Sequence, residues 1–344
     1  LVAMLDAVRK IWSIAPDAEI TTEANPDTVN EYYINELAAG GFTRVSFGMQ
    51  SAVPHVLKTL DRTHTPANVA AGVNAANKAG LRSSVDLIYG APGESLDDWR
   101  DSVRTAVDLG VNHVSAYALT VEPTTKMGRQ IAAGTLPKPD DDDEAAKYEI
   151  ADDLFAAAGL EWYEISNWSR PGYESRHNLG YWRNVDWAGL GPGAHSHYNT
   201  VMGSSTDGDA ANSDVSASVT STSMRGWDIA HPRMWGMAIN DGRVPWSGDE
   251  TISPTENLEE LIMLGLRIRE GLDIGRVNRH IEAVNRAQDA AQGTLRIIDD
   301  ACLTPLVGDG LITLDPTTGH AVATRRGRLL NDAVIERMFG AVGL

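Results

Sequence analysis

Residues 41–51, Gly-Phe-Thr-Arg-Val-Ser-Phe-Gly-Met-Gln-Ser, read as a helix stop, a short strand and a polar strand exit. Gly40-Gly41 closes an amphipathic stretch, where glycine suits the left-handed helix stop, and Arg44–Gln50 forms the strand. The same unit repeats on both sides. Further strands are expected at Glu19–Ala24, Ser83–Gly90 and His113–Thr120, and the helical stretches before the last two end near Gly80 and Gly110. Equivalent exits at Glu23, Gln50, Asp86 and Thr120 are 27, 36 and 34 residues apart, close to the ~30 residues of a βαβ step. Strands alternating with helices imply a parallel sheet. Four units do not close a barrel, so the expected class is α/β, with a partial (β/α) barrel over residues 1–135.

Beyond it, residues 136–200 are expected to complete the barrel region. Asp140–Asp143 opens a helix running through Ala158, its carboxylates complementing the positive end of the helix dipole. Four tryptophans, Trp162, Trp168, Trp182 and Trp187, then fall in a short polar span. Residues 203–223, rich in Ser, Thr, Asp and Gly, hold too little apolar surface to order themselves, so 201–225 is expected to be a flexible loop. Residues 226–344 form a helical module. Leu258, Ile262 and Leu266 have helical spacing, further helices are expected at Asp273–Arg286 and Leu295–Asp309, and a two-strand wing (Leu311–Leu314, Ala321–Thr324) precedes a last helix, Arg325–Phe339. Helices followed by a small hairpin predict a winged-helix-like module.

The 344 residues carry 47 acidic against 29 basic side chains, a net charge of −18 that repels a phosphate backbone. Nucleic acid is therefore not an expected partner. The sequence holds no uncharged apolar run of the ~20 residues a membrane span needs, and a cytoplasmic protein is expected. Cys302 is the one cysteine, which rules out a disulfide within these residues and any site needing several of their thiolates. The chain opens at Leu1 in what reads as mid-helix, with Val2, Leu5, Val8 and Ile11 on one face, a pattern that suits an ordinary first helix and suits at least as well a start downstream of the natural one.

In parallel barrels the ligand sits at the C-terminal strand ends, which gives Glu23, Gln50 and Asp86 functional weight, with Arg62 in the segment after the second strand. Together they offer a carboxylate for an ammonium, a guanidinium for a carboxylate, and acid and amide groups for ribose hydroxyls. That set suits an amino-acid nucleoside, although any one of them alone reads equally as a structural hydrogen-bonding group. His195, in Gly-Pro-Gly-Ala-His, sits where glycine N–H groups would cradle an anion or simply make a tight turn. His177 and Tyr181 lie four apart and would share a helical face.

The series Glu-Ala-Asn-Pro (23–26), Arg-Val-Ser-Phe-Gly-Met-Gln-Ser (44–51), Asp-Leu-Ile-Tyr-Gly-Ala-Pro (86–92), Tyr-Ala-Leu-Thr-Val-Glu-Pro (117–123), His-Asn-Leu-Gly-Tyr-Trp (177–182) and Gly-Leu-Gly-Pro-Gly-Ala-His-Ser (189–196) resembles the HemW heme-chaperone family. This is a branch of the oxygen-independent coproporphyrinogen III oxidase-like radical S-adenosylmethionine (SAM) proteins. The resemblance implies a partial radical SAM barrel lacking its N-terminal strands, with Glu23, Gln50, Arg62 and Asp86 contacting SAM. It also implies heme at His177 and Tyr181, with His177 on the iron. A 4Fe-4S cluster belongs to full-length members, on a Cys-x3-Cys-x2-Cys loop that, like their Gly-Gly-Gly-Thr-Pro segment, does not occur in this sequence. Heme would pass to an acceptor protein such as a respiratory enzyme. The alternatives are an oxygen-independent coproporphyrinogen III oxidase and a paralogue that binds neither SAM nor heme.

Overall fold

The computed structural model describes residues 1–199, 223–287 and 294–344. The chain divides into two compact units, Leu1–Arg176 and His177–Leu344, so the boundary falls inside the 136–200 stretch.

The first unit runs α1 (Val2–Ile11), β1 (Thr21–Ala24), α2 (Glu31–Ala39), β2 (Arg44–Gln50), α3 (Pro54–Thr59), α4 (Pro66–Lys78), β3 (Arg82–Tyr89), α5 (Leu96–Asp108) and β4 (His113–Ala118). It continues through α6 (Lys126–Ala132), α7 (Asp141–Ala157), β5 (Glu161–Glu164) and β6 (Asn167–Ser169). The sheet order is β1-β2-β3-β4-β6-β5. The first four strands are parallel, and the β5–β6 hairpin adds antiparallel to β4. The sequence does not predict that hairpin, since strands of four and three residues carry too little periodicity to register.

Alternation along the strands sorts the two faces of this sheet. Val45, Phe47, Val85, Leu87, Val114 and Ala116 are fully buried on one face. Helix α4 closes on them through Gly72, where a Cβ would lie 2.7 Å from Cε1 of Phe47. The opposite face is polar: Ser46 hydrogen-bonds Asp86, and Ser84 hydrogen-bonds His113. The helices start where the side chains dictate, with capping boxes at Thr65/Asn68 and Ser95/Asp98 and Asp140 capping α7. Strand β1 begins two residues later than expected. The Thr43 hydroxyl takes the N–H of Ile20 at 2.8 Å, in place of a ladder bond.

The second unit opens on α8 (Arg176–Trp182), whose first residue belongs to the first unit. It then holds β7 (His195–Asn199), β8 (Ser223–Asp228), α9 (Pro232–Asn240) and β9 (Trp246–Ile252), with a sheet of order β7-β8-β9. Two cross-strand contacts hold it: Trp227 lies over Gly248 and Trp246 over Gly226. Residues 223–225, expected in the flexible loop, are strand residues because Ser223 is paired on both sides, with Asn199 and Ile252. The rest of that loop lies outside the described residues.

The C-terminal module comprises α10 (Pro254–Gly265), β10 (Leu272–Asp273), α11 (Ile274–Ala287), α12 (Asp300–Gly308), β11 (Ile312–Leu314), β12 (His320–Ala323), α13 (Arg325–Leu329) and α14 (Asn331–Val342). Its core includes Leu258, Ile262, Val277, Ile281 and Met338, beside an antiparallel sheet of order β10-β12-β11. This is the winged-helix-like arrangement, with β10 as a third strand. Two helix boundaries differ from expectation. Asn278 and Asn285 each exchange two hydrogen bonds with the backbones of Ile298 and Leu295, which holds that segment out of the helix until Asp299 caps α12. The expected helix Arg325–Phe339 breaks at Leu330, where buried Asn331 donates to the Leu266 carbonyl at 2.9 Å.

Candidate ligand site at the strand ends

Glu23, Gln50 and Asp86 converge on one cavity of about 680 Å³, walled also by Ile88, Tyr117 and Ser166. A volume of that order accommodates a drug-sized ligand. Asp86 is held from below, the Ser46 hydroxyl lying 3.0 and 2.9 Å from its two oxygens. Burial pushes the Asp86 carboxyl above its ordinary range; the hydroxyls of Ser115 and Ser46 and the Arg44 guanidinium oppose the shift, and the Glu23 carboxylate adds to it. A second negative charge is thus poorly tolerated, whereas hydroxyl or ammonium donors entering the cavity would be favoured.

Gln50 sits in a special conformation. It is buried, and its φ of 62° is left-handed. The Ser51 N–H closes a three-residue turn onto the Met49 carbonyl at 2.7 Å. Such turns are strained in a residue other than glycine, at a cost of about 1–3 kcal/mol, and persist only where the surroundings over-determine them. Here the Ser102 hydroxyl of α5 holds the next residues, at 3.0 Å from both Ser51 Oγ and the Ala52 N–H.

Arg62 is the sequence-expected residue that the structure does not bring into this cavity. It follows α3 and lines an adjacent cleft with Lys58 and His64. The displacement has a local cause: Asp61 is left-handed (φ 57°) and the Arg62 N–H bonds the Leu57 carbonyl at 2.9 Å, so the chain turns sharply out of α3 before Arg62. Tyr117 and Ser166 were not singled out in the sequence. The signal for Tyr117 was present, two residues beyond the Ser115 that faces Asp86, but Ser166 enters only through the unexpected hairpin.

In the second unit, α8 does place His177 and Tyr181 on one face, rings 4.6 Å apart and edge-on at 77°. Both are exposed. Tyr181 meets Trp187 at 5.1 Å, and Trp187 stacks on buried His197 at 6.3 Å. His195 is exposed, 6.1 Å from Trp227. The glycine run before it is occupied by its own fold: Gly189 N–H donates to Ser196 Oγ, Ala194 N–H to the Gly191 carbonyl, and Gly193 N–H to the Ile229 carbonyl. Those bonds correspond to the tight turn rather than an anion cradle. Among the described residues there is no group of three or more His, Cys, Asp or Glu placed to hold a metal ion, and no helix long and apolar enough to cross a membrane.

The heme chaperone HemW of Mycobacterium tuberculosis is 40% identical over 341 residues, covering 99% of this chain and 76% of that protein. The chain belongs to the HemW family. The HemW of Bacillus subtilis is 28% identical over 339 residues, and that of Escherichia coli is 40% identical over 193. Family models agree at both ends: the radical SAM superfamily matches residues 1–106, and the HemN C-terminal domain matches residues 252–330. Among solved structures, coproporphyrinogen III oxidase (HemN) from Escherichia coli superposes with a TM-score of 0.71 at 18% identity, over 98% of this chain and 73% of that one. That likeness establishes the fold, a radical SAM sheet followed by the helical module. In this HemW-family chain, Glu23, Gln50, Arg62 and Asp86 all lie within the radical SAM match. The His177–Trp182 segment lies between the two matched stretches.

Proposed function

We propose that this chain is a HemW-type heme chaperone that binds SAM in the strand-end cavity and heme on α8, and passes heme to an acceptor protein, such as a respiratory enzyme, in the cytoplasm. The observation that carries the heme assignment is the exposed His177 imidazole standing edge-on to Tyr181 on a short helix. A planar apolar ligand with an iron at its centre needs an accessible nitrogen and an aromatic neighbour, and α8 presents both.

The cavity residues fit SAM. Glu23 binds the ammonium, and Asp86, held by Ser46, accepts from the ribose hydroxyls. Gln50 supplies an amide at the strand end, while Arg62, exposed on its loop, swings its guanidinium to the carboxylate. A 4Fe-4S cluster does not fit the residues present. Such clusters are held by cysteine thiolates, and the single Cys302 lies in α12. No step of the function is therefore assigned through a cluster on these residues.

The test is a hemin titration of the purified chain followed by its Soret band. His177→Ala is expected to shift the band and weaken binding, with Tyr181→Ala giving a smaller loss. A band and affinity unchanged by His177→Ala would remove heme from this helix.

A further inference from the structure

The Met49 carbonyl takes two donors: the Ser51 N–H that closes the turn around Gln50, and Nε2 of His64 at 2.9 Å. A carbonyl only accepts, so the proton sits on Nε2. His64 is buried, two residues beyond Arg62. One residue nearer, the Thr63 hydroxyl donates to Asp27 Oδ2 at 2.7 Å. Asp27 follows Glu23 in the turn after β1, where Thr28 N–H and hydroxyl both bond the Asn25 carbonyl. The Thr63 hydroxyl holds the Asp27 carboxyl below the usual carboxylate range, with His64 and Arg62 contributing. The Arg62 loop is thus tied at consecutive residues to the two strand ends that carry Glu23 and Gln50.

We propose that His64 and Thr63 are positioning residues for the amino-acid end of the ligand, locking the Arg62 loop to the Gln50 turn and the Asp27 turn so that the loop backbone is fixed beside both strand ends and Arg62 reaches the ligand carboxylate by side-chain rotation alone. The inference rests on the SAM reading above. It gives the strained left-handed Gln50 a role: its carbonyl neighbour, Met49, is the anchor for the loop that bears the guanidinium. Fixing the loop backbone in this way lowers the ordering cost of binding, which then falls on the Arg62 side chain alone.

Isothermal titration with two nucleosides tests it. S-Adenosylhomocysteine carries the amino-acid end; 5′-methylthioadenosine has the same adenosine and sulfur without it. Thr63→Val and His64→Phe are expected to weaken S-adenosylhomocysteine about tenfold, the scale of one charge-assisted hydrogen bond, while 5′-methylthioadenosine changes less than twofold. His64→Gln, which keeps an N–H donor, is expected to recover most of the loss. Equal weakening of both ligands, or of neither, would overturn the proposal while leaving the cavity assignment standing. If the unaltered chain binds neither nucleoside, the SAM reading itself fails and takes this inference with it. Should His64→Phe not fold, the exposed Thr63→Val carries the test alone.

Discussion

Lys147 Nζ lies 3.1 Å from Glu94 Oε2, with both side chains sealed from solvent. The same ammonium reaches the Glu94 carbonyl at 3.0 Å and Asp143 Oδ2 at 2.6 Å, and Glu94 accepts the Gly90 N–H at 2.8 Å. Helix α7 is thereby tied to the turn that leaves β3, four residues past Asp86. Burial raises the Glu94 carboxyl above its ordinary range and the Lys147 charge opposes the shift. Lys147→Met removes the cation and strands a buried carboxylate, at an expected cost of about 3–5 kcal/mol in urea unfolding. The double variant Lys147→Met/Glu94→Gln should recover more than half of that. A cycle in which the two single losses simply add would show that the pair is not coupled.

Asp86→Asn is expected to trade binding for stability. A carboxyl raised in the folded state supports folding below its unfolded value, here 3.8, and loses that contribution as pH rises through the folded value. At neutral pH the charged Asp86 is therefore a net cost. The amide variant should unfold a few degrees higher at pH 7, about 2–4 °C for each kcal/mol recovered, with a flatter profile above pH 4. Its affinity for S-adenosylhomocysteine should fall. Differential scanning fluorimetry from pH 4 to 8 measures the first part, and an unchanged slope would contradict it.

His113 gives the opposite pH signature. It is fully enclosed, with Ser84 Oγ at 2.9 Å on Nδ1 and Tyr163 Oη at 2.7 Å on Nε2. Burial, reinforced by the Arg44 charge, holds its pKa well below the ordinary 6.5. A depressed histidine contributes stability above its unfolded value, and that stability is lost as pH falls from about 6.5. The urea midpoint should drop between pH 7.5 and 5.5, and His113→Gln should flatten that drop. Tyr163→Phe, which leaves Nε2 without its partner, is expected to cost about 1–3 kcal/mol at pH 7.5.

Gly72→Ala sets two magnitudes against each other. Alanine in a helix interior is worth about 1 kcal/mol over glycine, yet the new Cβ would stand 2.7 Å from the Phe47 ring, and overpacking costs roughly 1–3 kcal/mol. Packing is expected to win, with a net loss near 1 kcal/mol. Phe47→Leu in the same chain should restore much of it. A stabilised Gly72→Ala would mean that α4 shifts freely on the sheet.

Much of this is legible in the sequence alone. The βα repeat, the capped helices and the polar strand exits follow from short-range patterns: period-two and period-3.6 hydrophobicity, glycine stops, and hydroxyl or carboxylate caps. These depend on neighbours within a few residues, which the chain carries with it. Hence Glu23, Gln50 and Asp86 could be named from their places at strand ends, and His177 with Tyr181 from helical spacing. The hairpin of β5 and β6 and the sheet of β7–β9 were not readable. Their strands are short or lie beside glycines and tryptophans whose value appears only when Trp227 meets Gly248 across the ladder.

The sequence by itself determined the class of the fold, the family, and which strand ends bear chemistry, because those follow from local periodicity and contiguous motifs. Only the tertiary structure decided which of those residues meet. It brings Glu23, Gln50 and Asp86 to one cavity, turns Arg62 into the neighbouring cleft, and shows His64 and Thr63 holding that loop to both strand ends. The reason is geometric: a left-handed residue at 61 and a hydrogen bond spanning 36 residues, from Thr63 to Asp27, are set by the packed whole and leave no trace in spacing.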